Sequence, residues 1–381
     1  PVEYGRYSLL LYTALITVTL TFHWVQVSIL RFMGHPSRET GIVLSRFYDL
    51  TLFGALISTL IVLTTGLLYF HLNIPELILV ALFTFLSHFY FFHLALLQVH
   101  HRSIRMAILE GSDQLLLMIV LLAGLFLFDY HRSALIFGAM VTGLAGTLLL
   151  RFILRVKGLF IIDRTRVYWD SRFSGKVVSF GYGITLWLFC SHVIMAADRF
   201  ILMEYFGYHV AGSYSAIKDL ISKTVIFAGL PIYISYQTKI MDLWHAHRKA
   251  EAWTVVKEAI SFQMLVYILV FIVFMVIKSV LFKDYLRIPE MNFWVIYLPL
   301  LLAAFLWQSS LLMQRFLELI YRPFFMLTAI AVCAILNIVL NVAIVPKHGI
   351  ISSSLIMLAT SLLYAGFIFV LSVLGRKKLT E

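Results

Sequence analysis

About eleven hydrophobic runs of about 20 residues or more fill this 381-residue chain, and their length constrains the fold more than any other feature. They cover roughly 7–27, 49–70, 76–99, 106–128, 132–155, 177–203, 211–237, 259–282, 293–314, 324–345 and 350–374. A run of that length crosses ~30 Å of hydrocarbon as a helix. A transmembrane barrel would instead show alternating segments of about ten residues. The chain is 61% hydrophobic and 13% charged, against roughly a quarter charged in soluble domains. The reading is an all-α polytopic membrane protein.

The gaps between runs alternate in charge. Those around Arg31 to Arg46, Arg102 to Arg105, Arg151 to Lys176, Lys239 to Lys257, Arg315 to Arg322 and Arg376 to Lys378 hold 21 of the 30 Lys and Arg, and the other gaps hold six. Cytoplasmic loops carry excess Lys and Arg, so the rich gaps face the cytoplasm. The net charge of +11 is thereby a topology signal, and a nucleic-acid partner is not expected.

The same rule places residue 1 outside and residue 381 inside. The turn-like opening Pro1-Val2-Glu3-Tyr4-Gly5 has nothing before it to carry it across. Eleven visible transmembrane helices are therefore expected, and twelve with a missing N-terminal helix. They form two pseudo-symmetric bundles around a central cavity. Residues 1–155 make the N-terminal transmembrane lobe, 156–176 a basic cytoplasmic linker, and 177–381 the C-terminal transmembrane lobe. The linker mixes Phe160, Ile161, Ile162, Tyr168 and Trp169 with cations, which suits either an amphipathic piece on anionic headgroups or a solvated loop. An internal echo supports related halves: Gly5-Arg6-Tyr7-Ser8 opens the first run and Gly212-Ser213-Tyr214-Ser215 the seventh. Parallel repeats of this kind occur in transporters, with the substrate path between the halves.

Ionisable side chains are costly in hydrocarbon and face a bundle interior or a watery cavity. Glu110, Asp113 and Gln114 share a helical face in the fourth run, roughly 9 to 15 Å from its inner end. Lys218, Asp219 and Lys223 lie about 12 to 20 Å from the outer end of the seventh. Asp198 and Arg199 lie near the outer end of the sixth. The cations read as a docking field for a phosphate or diphosphate, which Lys meets as a point charge and Arg as a planar fork. The competing reading is internal pairing, since Asp219 and Lys223 stand four apart, with Arg199 snorkelling outward. Glu110, Asp113 and Asp219 are the carboxylates available to couple an ion. Asn337 and Asn341 read as interhelical hydrogen-bond partners, and Gly138, Thr142 and Gly146 as a small-residue packing stripe. His23, His88 and His93 line a cavity or pack in the interior.

No catalytic constellation is present: there is no Gly-x-Ser-x-Gly elbow, Walker loop or His-Glu-x-x-His run. His100-His101 and His245-x-His247 sit beside basic residues at cytoplasmic edges, which does not suit a metal. Cys190 and Cys333 lie inside apolar runs as small packing residues. A non-enzyme without metal or cofactor is expected.

The stretch Glu3-Tyr4-Gly5-Arg6-Tyr7-Ser8, with the following helix ending Ser28-Ile29-Leu30-Arg31-Phe32, resembles the second helix of Wzx-type polysaccharide (O-antigen) flippases. These belong to the multidrug/oligosaccharidyl-lipid/polysaccharide exporter superfamily. Ala197-Asp198-Arg199-Phe200-Ile201-Leu202 and Gly212-Ser213-Tyr214-Ser215-Ala216 with Lys218 resemble that family's seventh and eighth helices. Asn337, Asn341 and Pro346-Lys347-His348-Gly349-Ile350 resemble its eleventh helix and the turn into its twelfth. The resemblance implies translocation of an undecaprenyl-diphosphate-linked oligosaccharide across the bacterial cytoplasmic membrane by alternating access, alongside a polymerase and a chain-length regulator. It implies that Arg199, Lys218 and Lys223 attract the diphosphate, with Arg31 and Arg102 near the cytoplasmic entrance. Two other readings stay open. A cation-coupled drug or metabolite exporter of the same superfamily would use Glu110 and Asp113. A polysaccharide polymerase or ligase normally carries a large extracytoplasmic loop with catalytic Arg or His, and the longest outside loop here is only about Lys283 to Asn292.

Overall fold

In a bilayer every backbone N–H and C=O must be satisfied within the protein, and the apolar runs meet this as helices. The computed structural model describes residues 1–32, 40–99, 103–128, 133–153, 171–279, 293–319 and 323–380. They form α1 Val2–Val18, α2 Trp24–Phe32, α3 Thr40–Leu68, α4 Ile74–Val99, α5 Ser103–Phe128, α6 Ser133–Ile153, α7 Ser171–His245, α8 Lys249–Ser279, α9 Leu298–Leu319 and α10 Pro323–Thr380. No strand occurs among the described residues. A π-helical turn, Thr19–His23, joins α1 to α2, and another, Phe293–Tyr297, leads into α9.

The described helices contain nine segments long and apolar enough to cross a membrane. Two of them are far too long for one crossing: Gly181–Trp244 has 64 residues and Phe325–Leu374 has 50, where about 20 suffice. Each spans two of the runs read from the sequence and breaks between them at a glycine. Gly207 has φ 77° and ψ 173°, and Gly349 has φ 58° and ψ −141°. Only glycine adopts such backbone without penalty. The legs then fold back. Lys218 reaches the Met195 carbonyl across the first break, and Asn337 Nδ2 donates to Thr360 Oγ1 across the second at 3.0 Å.

Two compact units emerge: an N-terminal unit, Arg6–His192, and a C-terminal unit, Pro1–Gly5 with Val193–Glu381. Most of the basic linker expected at 156–176 lies outside the described residues. The chain passes from the N-terminal unit to the C-terminal unit at His192–Val193, within the first leg of α7. Gly181 explains why this leg begins with the N-terminal unit, since a Cβ there would lie 2.9 Å from the Trp24 Cα.

In the N-terminal unit, Val18, Phe22, Val25, Ile29, Phe47 and Phe92 pack around the π turn. His88 is buried beside them. Its Nδ1 lies 2.9 Å from the Thr84 carbonyl and its Nε2 lies 3.0 Å from Thr21 Oγ1. At one end of the unit Glu76 gathers three helices: Arg6 of α1 pairs with it at 3.0 Å, and Ser133 of α6 donates to it at 3.0 Å. The small-residue stripe of α6 differs from the sequence expectation. Gly138 faces open space, whereas a Cβ on Gly143 would lie 2.7 Å from Asp113 Oδ1 and one on Gly146 2.5 Å from Leu116 Cδ1. The close approach to α5 is therefore made by Gly143 and Gly146.

In the C-terminal unit Ile240, Ala252, Trp253, Val255 and Val256 form a hydrophobic cluster, and polar and aromatic side chains are buried beside aliphatic ones. Tyr267 stacks on Phe305 with centroids 4.4 Å apart, and Tyr364 donates to Gln314 at 2.8 Å. Ser352, Ser353, Ser354 and Ser361 are buried, while Phe227, Leu265 and Val276 are exposed. That inversion suits a solvent of lipid tails, where small and polar residues hold helices together.

Candidate functional site

The chain reversal at Gly207 sets the Asp198-Arg199 pair of one α7 leg against Tyr214, Lys218 and Asp219 of the other. Asp198 and Arg199 sit two turns before the break, so a leg of equal depth coming back brings residues about 20 positions away alongside them. Asp198 is the first hub. Its Oδ2 accepts from Lys218 Nζ at 2.7 Å and from the Tyr214 hydroxyl at 2.6 Å. Its Oδ1 accepts the Arg199 backbone N–H at 2.9 Å. Lys218 also donates to the Met195 carbonyl at 2.9 Å, and its ammonium stands 5.8 Å from the centre of the Tyr214 ring.

Asp219 is the second hub. Arg199 grips it with a two-pronged fork, Nη2 to Oδ1 at 2.6 Å and Nη1 to Oδ2 at 3.0 Å. The Tyr4 hydroxyl adds a bond to Oδ2 at 2.8 Å. Tyr4 arrives because Gly5 and Gly212 lack side chains: a Cβ on Gly212 would overlap the Pro1 carbonyl oxygen, and one on Gly5 would overlap the Tyr208 carbonyl oxygen.

Burial requires each of these charges to keep a counter-charge. Arg199 is 1% exposed, Lys218 2% and Asp198 2%. Removing one partner of such a pair strands a charge in low dielectric. Two cations and two carboxylates cancel within the network. Lys223, one turn beyond Asp219, stays exposed and supplies the uncancelled charge of this cluster.

The structure brings together Arg199, Lys218 and Asp219 of the expected site, with Lys223 one turn away. It pairs Asp219 with Arg199 and not with Lys223, because a planar fork on the facing leg offers two hydrogen bonds where an ammonium on the same helix offers one. Arg199 does not snorkel outward. Spacing along one helix cannot reveal Asp198 as the partner of Lys218, since twenty residues separate them. Tyr4 and Tyr214 escape such reasoning too, although Tyr214 lies within the Gly212-Ser213-Tyr214-Ser215 echo.

The carboxylates of α5 form a separate place in the N-terminal unit. Asp113 is 7% exposed. Its Oδ2 accepts from Gln114 at 3.2 Å, while its Oδ1 is buried without a hydrogen-bond partner among the described residues. Glu110 is half-buried one turn away. Arg31 is exposed at the end of α2, and Arg102 lies outside the described residues. No group of three or more His, Cys, Asp or Glu is arranged to hold a metal among the described residues.

No family model matches the chain, and no curated protein matches it by sequence. Solved structures do match. One is described as the inward-facing conformation of a multidrug resistance MATE family transporter of the MOP superfamily; the TM-score is 0.72 at 12% identity, covering 100% of this chain and 93% of that one. An outward-facing MATE family transporter of the same superfamily gives 0.67 at 12% identity, covering 99% and 87%. A MOP superfamily transporter from Pyrococcus furiosus, described as having a binding pocket of reverse polarity, gives 0.66 at 14% identity, covering 100% and 88%. The chain has the fold of these transporters.

Proposed function

We propose that this chain is an alternating-access transporter that moves an undecaprenyl-diphosphate-linked oligosaccharide from the inner to the outer leaflet of a bacterial cytoplasmic membrane, for surface polysaccharide synthesis. The observation that carries the reading is the exposed ammonium of Lys223, deep in an apolar span beside the Arg199–Asp219 pair. A cation at the bilayer centre costs about 2.5–3.5 kcal/mol by insertion scales, so Lys223 belongs against water or an anion and not against lipid tails. Arg199 supplies the planar fork that suits a phosphate, and Lys218 holds the hairpin that presents both. Arg31 and Arg102 serve the cytoplasmic entrance. The fold shared with known transporters supports a path through the helices and not a catalytic site. A polymerase and a chain-length regulator are the proposed partners.

The test is reconstitution of the chain in liposomes, following leaflet transfer of a diphosphate-linked isoprenoid oligosaccharide with and without a proton gradient. Transfer is expected to depend on the protein. Lys223→Gln is expected to slow it about tenfold, equivalent to ~1.4 kcal/mol, with unchanged thermal unfolding. Transfer at the native rate in Lys223→Gln would remove Lys223 from the mechanism.

One observation favours a second reading, a cation-coupled drug or metabolite exporter. Asp113 keeps a buried carboxylate oxygen without a hydrogen-bond partner among the described residues, which suits a proton or a small cation. Gradient-driven efflux of an organic cation, lost in Asp113→Asn, with no glycan-lipid transfer, would select this reading.

A further inference from the structure

Asp219 has one cation on the facing leg and a second one turn along its own helix, and it is ion-paired with the first. Arg199 grips it from the facing leg, while Lys223 lies four residues on along its own helix, the spacing at which an acid and a following base meet. Lys223 makes no ion pair among the described residues and is exposed. Within the Arg199–Asp219 pair the two side chains differ in access: that of Arg199 is 1% exposed and that of Asp219 16%. Asp219 therefore covers the fork from its open side, and the fork presents to it the paired N–H geometry that a phosphate also accepts.

Resting on the diphosphate reading above, we propose that Asp219 is a built-in competitor for the substrate's phosphate. Its carboxylate fills the guanidinium fork of Arg199 in the empty protein. An arriving phosphate, drawn in by Lys223, takes the fork, and Asp219 turns to Lys223. Charge is conserved throughout: the empty state has Arg199 paired and Lys223 open, and the loaded state has Arg199 on phosphate and Lys223 on Asp219. No buried cation is stranded at any stage, and the displaced carboxylate has Lys223 one turn away on its own helix. Tyr4 acts as a positioning residue, since its hydroxyl on Oδ2 holds Asp219 toward Arg199. A neutral headgroup cannot displace a carboxylate from a guanidinium, so the arrangement selects anionic substrates, phosphate-bearing ones among them.

The test measures binding of inorganic diphosphate and of an isoprenyl diphosphate to the purified full chain. Asp219→Asn removes the competitor and is expected to tighten binding about tenfold, equivalent to ~1.4 kcal/mol. Lys223→Gln is expected to weaken it. In the Asp219→Asn background, Lys223→Gln should weaken it much less, because no displaced carboxylate then needs Lys223. Should Asp219→Asn fail to fold, Tyr4→Phe loosens Asp219 without removing it, with tightening of about threefold expected, equivalent to ~0.65 kcal/mol. Tightening for both probes identifies the phosphate alone as the ligand feature, and tightening for the isoprenyl probe alone identifies a lipid headgroup; either result supports the exchange. Wild-type binding that neither variant tightens overturns the exchange and leaves the diphosphate reading standing. Failure of wild type and variants to bind either probe overturns both.

Discussion

Gly5 and Gly212 stand backbone to backbone: a Cβ built on Gly5 would lie 3.0 Å from the Gly212 Cα, and one on Gly212 would lie 2.8 Å from the Gly5 nitrogen. These are the leading glycines of the two echoing tetrapeptides, so the repeat visible in sequence is also a point of contact. The contact delivers Tyr4 to Asp219. Gly212→Leu is expected to unseat the first turn of α1, with a cost of about 1–3 kcal/mol from overpacking. Faster amide exchange at residues 2–5 and a lowered unfolding midpoint would report it.

The Asp198–Lys218 pair sets up a double-mutant cycle. Lys218→Met alone leaves a buried carboxylate with one cation fewer and is expected to destabilise by about 3–5 kcal/mol. Asp198→Asn with Lys218→Met removes both charges and should recover a large part of that loss. Additive losses in denaturant unfolding would show that the pair is not coupled.

Gly207 has backbone angles that only glycine tolerates, so Gly207→Ala is expected to cost about 1–3 kcal/mol. Gly138 provides the control. It lies in an α-helix with nothing within 4 Å of a new Cβ, and Gly138→Ala should be neutral or stabilising by up to about 1 kcal/mol. Thermal unfolding of the two variants in one detergent checks both signs.

Gly143→Ala places a methyl 2.7 Å from Asp113 Oδ1 and 3.0 Å from the Asp113 carbonyl oxygen. Separation of α5 from α6 is expected, at about 1–3 kcal/mol. A disulfide between cysteines introduced at Ser112 and Thr147, whose hydroxyl oxygens are 3.5 Å apart, should form less readily in the Gly143→Ala background.

The helical fold was legible because run length and bilayer thickness answer the same question. The breaks were legible in part: Gly207 and Gly349 lie in the gaps between runs, where a glycine signals a turn. The ionisable residues of the site also stood out, since hydrocarbon makes any charge conspicuous. What spacing could not supply was the partner of each charge. Helical periodicity relates residues three or four apart, and the pairs that formed, Asp198 with Lys218 and Arg199 with Asp219, depend on the depth at which two antiparallel legs meet. Tyr4 lies still further from Asp219 along the chain, beyond any local rule. The polar cap of Arg6, Glu76 and Ser133 is similarly a product of three helix ends meeting.

The π turn Thr19–His23 holds one residue more than an α-helical turn would. One residue corresponds to about 100° of rotation about the axis, so the phase of the apolar stripe jumps between α1 and α2. Deleting a single residue there would give a smooth helix and swing Val25 and Ile29 away from Phe47 and Phe92. A relative of this protein with a one-residue gap in that segment would thus need a compensating change of register before Arg31, or it would present a different set of side chains to the lipid.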